Sequence, residues 1–188
     1  MSFEFAVKTQ VGDVWYRQRG IAGAAGQASS TADREHLRAS VLFVVRGQRG
    51  DPRTAYLNTA SLRTLGRIAA AMELHPKKRP YQCVAVADDV DVDSILPSLL
   101  RGRLSLCLVV VLADKTTSKP PLAGSEFGVL TDSPKYRAHV LVTHSLSDLA
   151  TDAGKKREAW SHLQPAIALL RAHAARQTDD SAETEILP

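Results

Sequence analysis

Hydrophobic and polar positions alternate at the start of the chain, with Phe3, Phe5 and Val7 set against Glu4, Ala6 and Lys8. A period of two marks a strand buried on one face. The Gly12-Asp13 pair before Val14-Trp15-Tyr16 predicts that residues 3–17 fold back as a hairpin. Residues 20–32 hold only small or polar side chains apart from Ile21. Such a stretch buries too little surface to offset its ordering entropy, so it is expected to be a flexible loop.

Stronger signals follow. Residues 39–47, ASVLFVVRG, are dense in β-branched and aromatic side chains and predict a strand, with 53–57 able to return beside it. Leu62, Leu65, Ile68, Ala69 and Met72 keep helical spacing and predict a helix over 59–74, stopped by His75-Pro76. A strand is expected over 81–87 and a short helix near 95–101. The run 104–113 is apolar on both faces, the pattern of a central strand covered on both sides. The connection from Asp88 to Arg103 is long enough for a helical crossover between parallel strands.

Beyond it, 115–126 is polar and proline-containing and reads as a second flexible loop. Residues 136–144 predict another strand. Trp160, Leu163, Ile167, Leu170 and Ala174 recur at spacings of three and four, predicting a long C-terminal helix over about 154–175 with Pro165 inside it. The expected fold is α/β (or α+β): a single domain over 1–175, with a mixed sheet flanked by helices, an N-terminal hairpin and a long C-terminal helix. Residues 176–188 are expected to form a disordered acidic tail.

A chain of 188 residues with 44% hydrophobic side chains suits one domain with a real core. No apolar run approaches the roughly 18 residues of a membrane span. The N-terminus shows no basic region followed by an apolar stretch, so the expected location is cytoplasmic. Cys83 and Cys107 sit in apolar runs without a C-x-x-C pair, and are expected to be buried free thiols.

Charge changes the picture more. Residues 34–79 carry ten basic residues against Glu35, Asp51 and Glu73, whereas 177–188 carry four acids and no base. A basic body attracts polyanions. Within it, Arg46, Arg49, Arg53, Arg63, Arg67, Lys77, Lys78 and Arg79 are the expected phosphate contacts. Aromatic residues make up only 5% of the chain, so no stacking platform for bases is legible, and contact is expected with phosphates, weak in sequence preference. No zinc finger, RRM signature or helix-turn-helix is apparent. The tail DDSAETEILP resembles the acidic, apolar-ended tails of bacterial single-stranded DNA-binding proteins over its ten residues, but ends in Leu187-Pro188 rather than Pro-Phe.

Candidate chemistry is thin. DVDVDS over 89–94 begins like an EF-hand loop, yet the sixth position is Ser94 where Gly is needed and the twelfth is Leu100 where Glu is needed. The expected role is a helix start with Ser94 as N-cap and Pro97 in the first turn. A Mg²⁺ site on Asp88, Asp89 and Asp91 is the enzymatic alternative. GIAGAAG (20–26) and AGKK (153–156) match neither phosphate-binding glycine pattern. His144, Ser145 and Asp148 stand too close in sequence for a nucleophilic triad, and Ser145 or Ser147 is expected to cap a helix running through Asp148. His139 and His144, five apart on a strand, are expected on opposite faces. No catalytic residue, resident metal or cofactor is expected. The leading expectation is a non-enzymatic nucleic-acid or anionic-surface binding protein. A structural or assembly subunit of a larger complex, which associates with itself or with other proteins, is the other reading.

Overall fold

The computed structural model describes residues 5–11, 14–20, 40–46, 59–74, 81–86, 91–100, 106–114 and 122–183. The expected hairpin pairing is present, with β1 (Phe5–Val11) antiparallel to β2 (Val14–Gly20). A five-stranded mixed sheet holds β3 (Val41–Arg46), β4 (Tyr81–Val86), β5 (Leu108–Ala113), β6 (Leu130–Ser133) and β7 (Ala138–His144). Its order is β4-β3-β5-β7-β6. The first four strands in that order are parallel, and β6 closes one edge antiparallel to β7. This is the α/β fold expected from the pattern.

Side chains that alternate along each strand feed two cores. Val41, Phe43, Val45, Val110, Leu112 and Leu141 face α1 (Thr59–Ala71), α3 (Leu146–Thr151) and the long α4 (Ala153–Glu183). Leu42, Val44, Val84, Val109, Val111, Val140 and Val142 face α2 (Val92–Leu100) and Leu122. Every residue of β5 is buried, so the strand apolar on both faces is indeed covered on both.

Helix ends depart from the expected ones for local reasons. α1 stops before His75-Pro76. Glu73 adopts a left-handed φ of 59°, Leu74 N–H donates to Ala69 O at 2.9 Å, and Glu73 N–H donates to Ala70 O at 3.0 Å. That is a Schellman closure with glutamate where glycine is usual. Arg171 of α4 donates to Glu73 Oε1 through Nε at 3.2 Å and through Nη2, tying the strained residue to the neighbouring helix.

α2 begins three residues earlier than the capping argument placed it. Asp91, not Ser94, is the cap: its Oδ1 accepts Asp93 N–H at 3.0 Å. Ser94 lies in the first turn, where its hydroxyl donates to Asp91 O at 2.8 Å, and Pro97 falls inside the helix. Asp93, in the first turn, is tied to residues distant in sequence. Its carboxylate accepts from Lys135 Nζ at 2.6 Å, from Ala123 N–H at 3.3 Å and from the Tyr136 hydroxyl. The Lys135 and Tyr136 hydrogen bonds hold its carboxyl below the ordinary value.

These contacts yield a stability prediction. Lys135 is half-exposed, so its share is screened by water, and Asp93→Ala should cost about 1–2 kcal/mol, mostly from the lost Tyr136 and backbone bonds. A carboxyl whose folded pKa is depressed contributes stability above its unfolded value near 4 and loses it as pH falls through the folded value. Thermal melts from pH 7 down to 2.5 should therefore drop more steeply for the parent than for Asp93→Ala below about pH 4. Parallel curves would show that Asp93 has no such linkage.

The loop expected over 115–126 is ordered over its last part, because Leu122 is 1% exposed in the core against α2, and Ser125 N–H closes a turn onto Leu122 O at 3.2 Å. Residues 115–121, 21–32 and 53–57 lie outside the described residues. Ser145 caps α3 as expected, accepting Asp148 N–H at 3.2 Å. Asp152 then caps α4, its Oδ1 accepting Gly154 N–H at 2.7 Å and Lys155 N–H at 3.1 Å. α4 runs to Glu183, past the boundary at 176 expected for a disordered tail, so residues 177–183 are helical. Ala174, Ala175, Arg176 and Gln177 are strong helix formers, and α4 carries the turn onward. No described helix is long and apolar enough to cross a membrane.

Candidate anion-binding surface

Two of the eight expected phosphate contacts are placed with their side chains. Arg63 and Arg67 are four apart on α1 and exposed, while Leu65, Ile68 and Ala69 turn into the core. Positions i and i+4 share a helix face, so the two guanidinium groups flank one strip of surface. Among the described residues, no carboxylate is paired with either. Arg46 ends β3. Arg49, Arg53, Lys77, Lys78 and Arg79 lie outside the described residues, as do Asp88 and Asp89.

A second concentration of positive charge was missed in the sequence. A groove of about 290 Å³ opens at the N-terminal ends of β5 and β7, beneath α4. Arg137, His139, His173 and Arg176 line it, with Asp132 and Cys107 beside them. The α4 contribution is one stripe, Leu169, Ala172, His173 and Arg176, at the three- and four-residue spacing of a single helix face. Arg137 reaches it from the turn joining β6 to β7, where it takes a left-handed φ of 51°. Asp132 Oδ1 stands 4.0 Å from His139 Nδ1, and its side chain is 74% exposed. Cys107 donates to Ser40 O at 3.2 Å, and burial pushes its thiol above the ordinary value. Cys83 is pushed up to about 12 by burial. Neither thiol is poised as a nucleophile at neutral pH.

The opposite, C-terminal end of the sheet holds a different cluster. His144 ends β7 and is buried, with Nε2 3.0 Å from Glu158 Oε2 but off the line of a hydrogen bond. His162 Nδ1 and Thr143 Oγ1 are 3.0 Å apart. The two imidazoles stack at 5.9 Å between centroids, and Phe127 meets both edge-on. Lys155 donates to Asp148 at 2.6 Å. Partial burial pushes the Asp148 carboxyl up, but hydrogen bonds from Lys155 and Ser145 outweigh it and hold the group below its ordinary value.

His144, Ser145 and Asp148 do not form a triad. Ser145 Oγ is taken up by Asp148 N–H and by Ser147 Oγ at 2.9 Å, while His144 turns to Glu158. Among the described residues, no three His, Cys, Asp or Glu side chains are arranged to hold a metal ion. Asp91 and Asp93 of the carboxylate run are engaged as cap and cross-link.

No protein-family model matches this chain, and no curated protein matches it.

Proposed function

We propose that the chain is a non-enzymatic binding protein for nucleic acid or another polyanion, held through phosphate contacts on its basic surface. The observation that carries this reading is the exposed Arg63 and Arg67 pair on one face of α1, with no described carboxylate to neutralise it. A guanidinium presents planar N–H donors that match two phosphate oxygens at once. Two of them one helical turn apart bind a charged backbone without reading bases. The formal net charge of +4 adds a general attraction.

The test is salt dependence. Each neutralised duplex phosphate adds about 0.9 to the slope of log K against log salt, so Arg63→Ala with Arg67→Ala should lower that slope by about two units. The loss should be alike for unrelated sequences. An unchanged slope moves the contact off α1, and a parent chain that binds no oligonucleotide at low salt overturns the reading. Fluorescence anisotropy with two labelled duplexes at several salt concentrations measures it.

A further inference from the structure

We propose that the groove beneath α4 is a second, separate anion site that takes a phosphate group. It uses none of the α1 residues, so it goes beyond the polyanion reading and stands or falls without it. Three elements converge to build it: the turn between β6 and β7 supplies Arg137, β7 supplies His139, and α4 supplies His173 and Arg176. Arginine and imidazole can both hold phosphate by direct N–H donation, and arginines from two different elements can each fork onto it.

The backbone supports this arrangement. Arg137 is fixed in a tight turn, its left-handed φ accompanied by an N–H bond to Pro134 O at 3.4 Å. His139 N–H is bonded to Cys107 O at 3.0 Å, which anchors that wall to β5. The fixed backbone sets where Arg137 and His139 emerge, while the exposed Arg137 and Arg176 side chains are ordered only on binding. Asp132 is the one described acid that lines the groove; its exposed carboxylate is screened by water and opposes an anion weakly. Among the described residues, neither Arg137 nor Arg176 is paired with a carboxylate.

Size and chemistry limit the ligand. A groove of about 290 Å³ lies at the lower end of ligand pockets, about 300–1,000 Å³, and has room for a phosphate group. Cys107 is held protonated and hydrogen-bonded to Ser40 O, so its thiol is not poised to attack a bound ligand.

The experiment titrates the full chain with inorganic phosphate, against sodium chloride at equal ionic strength, while imidazole NMR signals are followed. The His139 and His173 signals should move saturably with phosphate, and those of His144 and His162 should not. Arg137→Ala with Arg176→Ala should weaken the response roughly tenfold or more, and Arg137→Lys with Arg176→Lys should restore part of it. Circular dichroism melts verify that both variants fold. If phosphate and chloride act alike, or if the response survives in the double alanine variant, the site is overturned. A second arm separates the ligand's sources. An oligonucleotide that binds less well to the double alanine variant places a nucleic-acid phosphate in the groove, whereas unchanged oligonucleotide affinity, with a phosphate response that the parent shows and the variant loses, assigns it to free phosphate. Loss of binding on Arg63→Ala with Arg67→Ala reports on the α1 face alone.

Discussion

Replacing Gly128 with alanine should lower the melting temperature by roughly 5–15 °C, which corresponds to about 2–4 kcal/mol in a chain of this length. Two costs combine. Gly128 has φ of 82°, where any residue with a Cβ is strained by about 1–2 kcal/mol. The new Cβ would also stand 2.5 Å from Nε2 of His162 and within 3 Å of two more ring atoms. Neither partner can retreat cheaply. Gly128 N–H is bonded to Val142 O at 2.8 Å, and the preceding Phe127 bridges to Val142, so the backbone is pinned to β7. His162 is held by Thr143, stacked on His144 and touched edge-on by Phe127. Gly124 supplies the control, with φ of 78° but open space around its Cβ position, so Gly124→Ala should cost only the backbone share. Equal melting temperatures for the two variants would show that the imidazole packing adds nothing.

Phe43→Ala should be at least as damaging, at about 3–5 kcal/mol, the usual loss for deleting a fully buried aromatic side chain. Phe43 is 0% exposed on the central side of β3 and meets Tyr81 edge-to-face at 5.8 Å and 87°. Its neighbour Leu42 is also 0% exposed but points into the other core. Leu42→Ala should therefore cost about 2–5 kcal/mol as well. A sheet with one wet face would tolerate one of these two changes and not the other. Urea unfolding of both variants decides it: a loss below about 1 kcal/mol at either position contradicts a sheet covered on both sides.

The candidate sites were legible to very different degrees. Arg63 and Arg67 could be read as neighbours because both lie on one helix whose apolar spacing sets their face. The groove could not. A sliding count of charge finds the basic stretch 34–79, but Arg137 and His139 come from one hairpin and His173 and Arg176 from a helix thirty-odd residues later. Only the packing of α4 across β7 brings them to one opening. The His144, His162 and Phe127 cluster has the same origin, since THSLSD on its own suggests a local constellation that capping then dismantles.

What the sequence determined by itself was whatever burial imposes locally. A strand apolar on both faces has to be covered on both, and β5 is; a stripe at helical spacing has to face a core, and those of α1 and α4 do through Leu65, Ile68, Leu163, Ile167 and Leu170, although Trp160, expected on the α4 stripe, is 47% exposed. Ser145 could be read as a cap because the bond it accepts closes within three residues. Tertiary structure decided the choices that local chemistry left balanced. Asp91 and Ser94 are both good caps; the helix that Asp91 caps is also the one whose first turn presents Asp93 to Lys135 and Tyr136, some forty residues away. Leu130–Ser133 has too few apolar side chains to announce a strand, and becomes β6 because β7 offers an unpaired edge. Hydrophobic periodicity acts over a few residues, so it specifies elements; hydrogen-bond and charge partners distant in sequence become neighbours only after the chain has folded, so boundaries and binding surfaces belong to the fold.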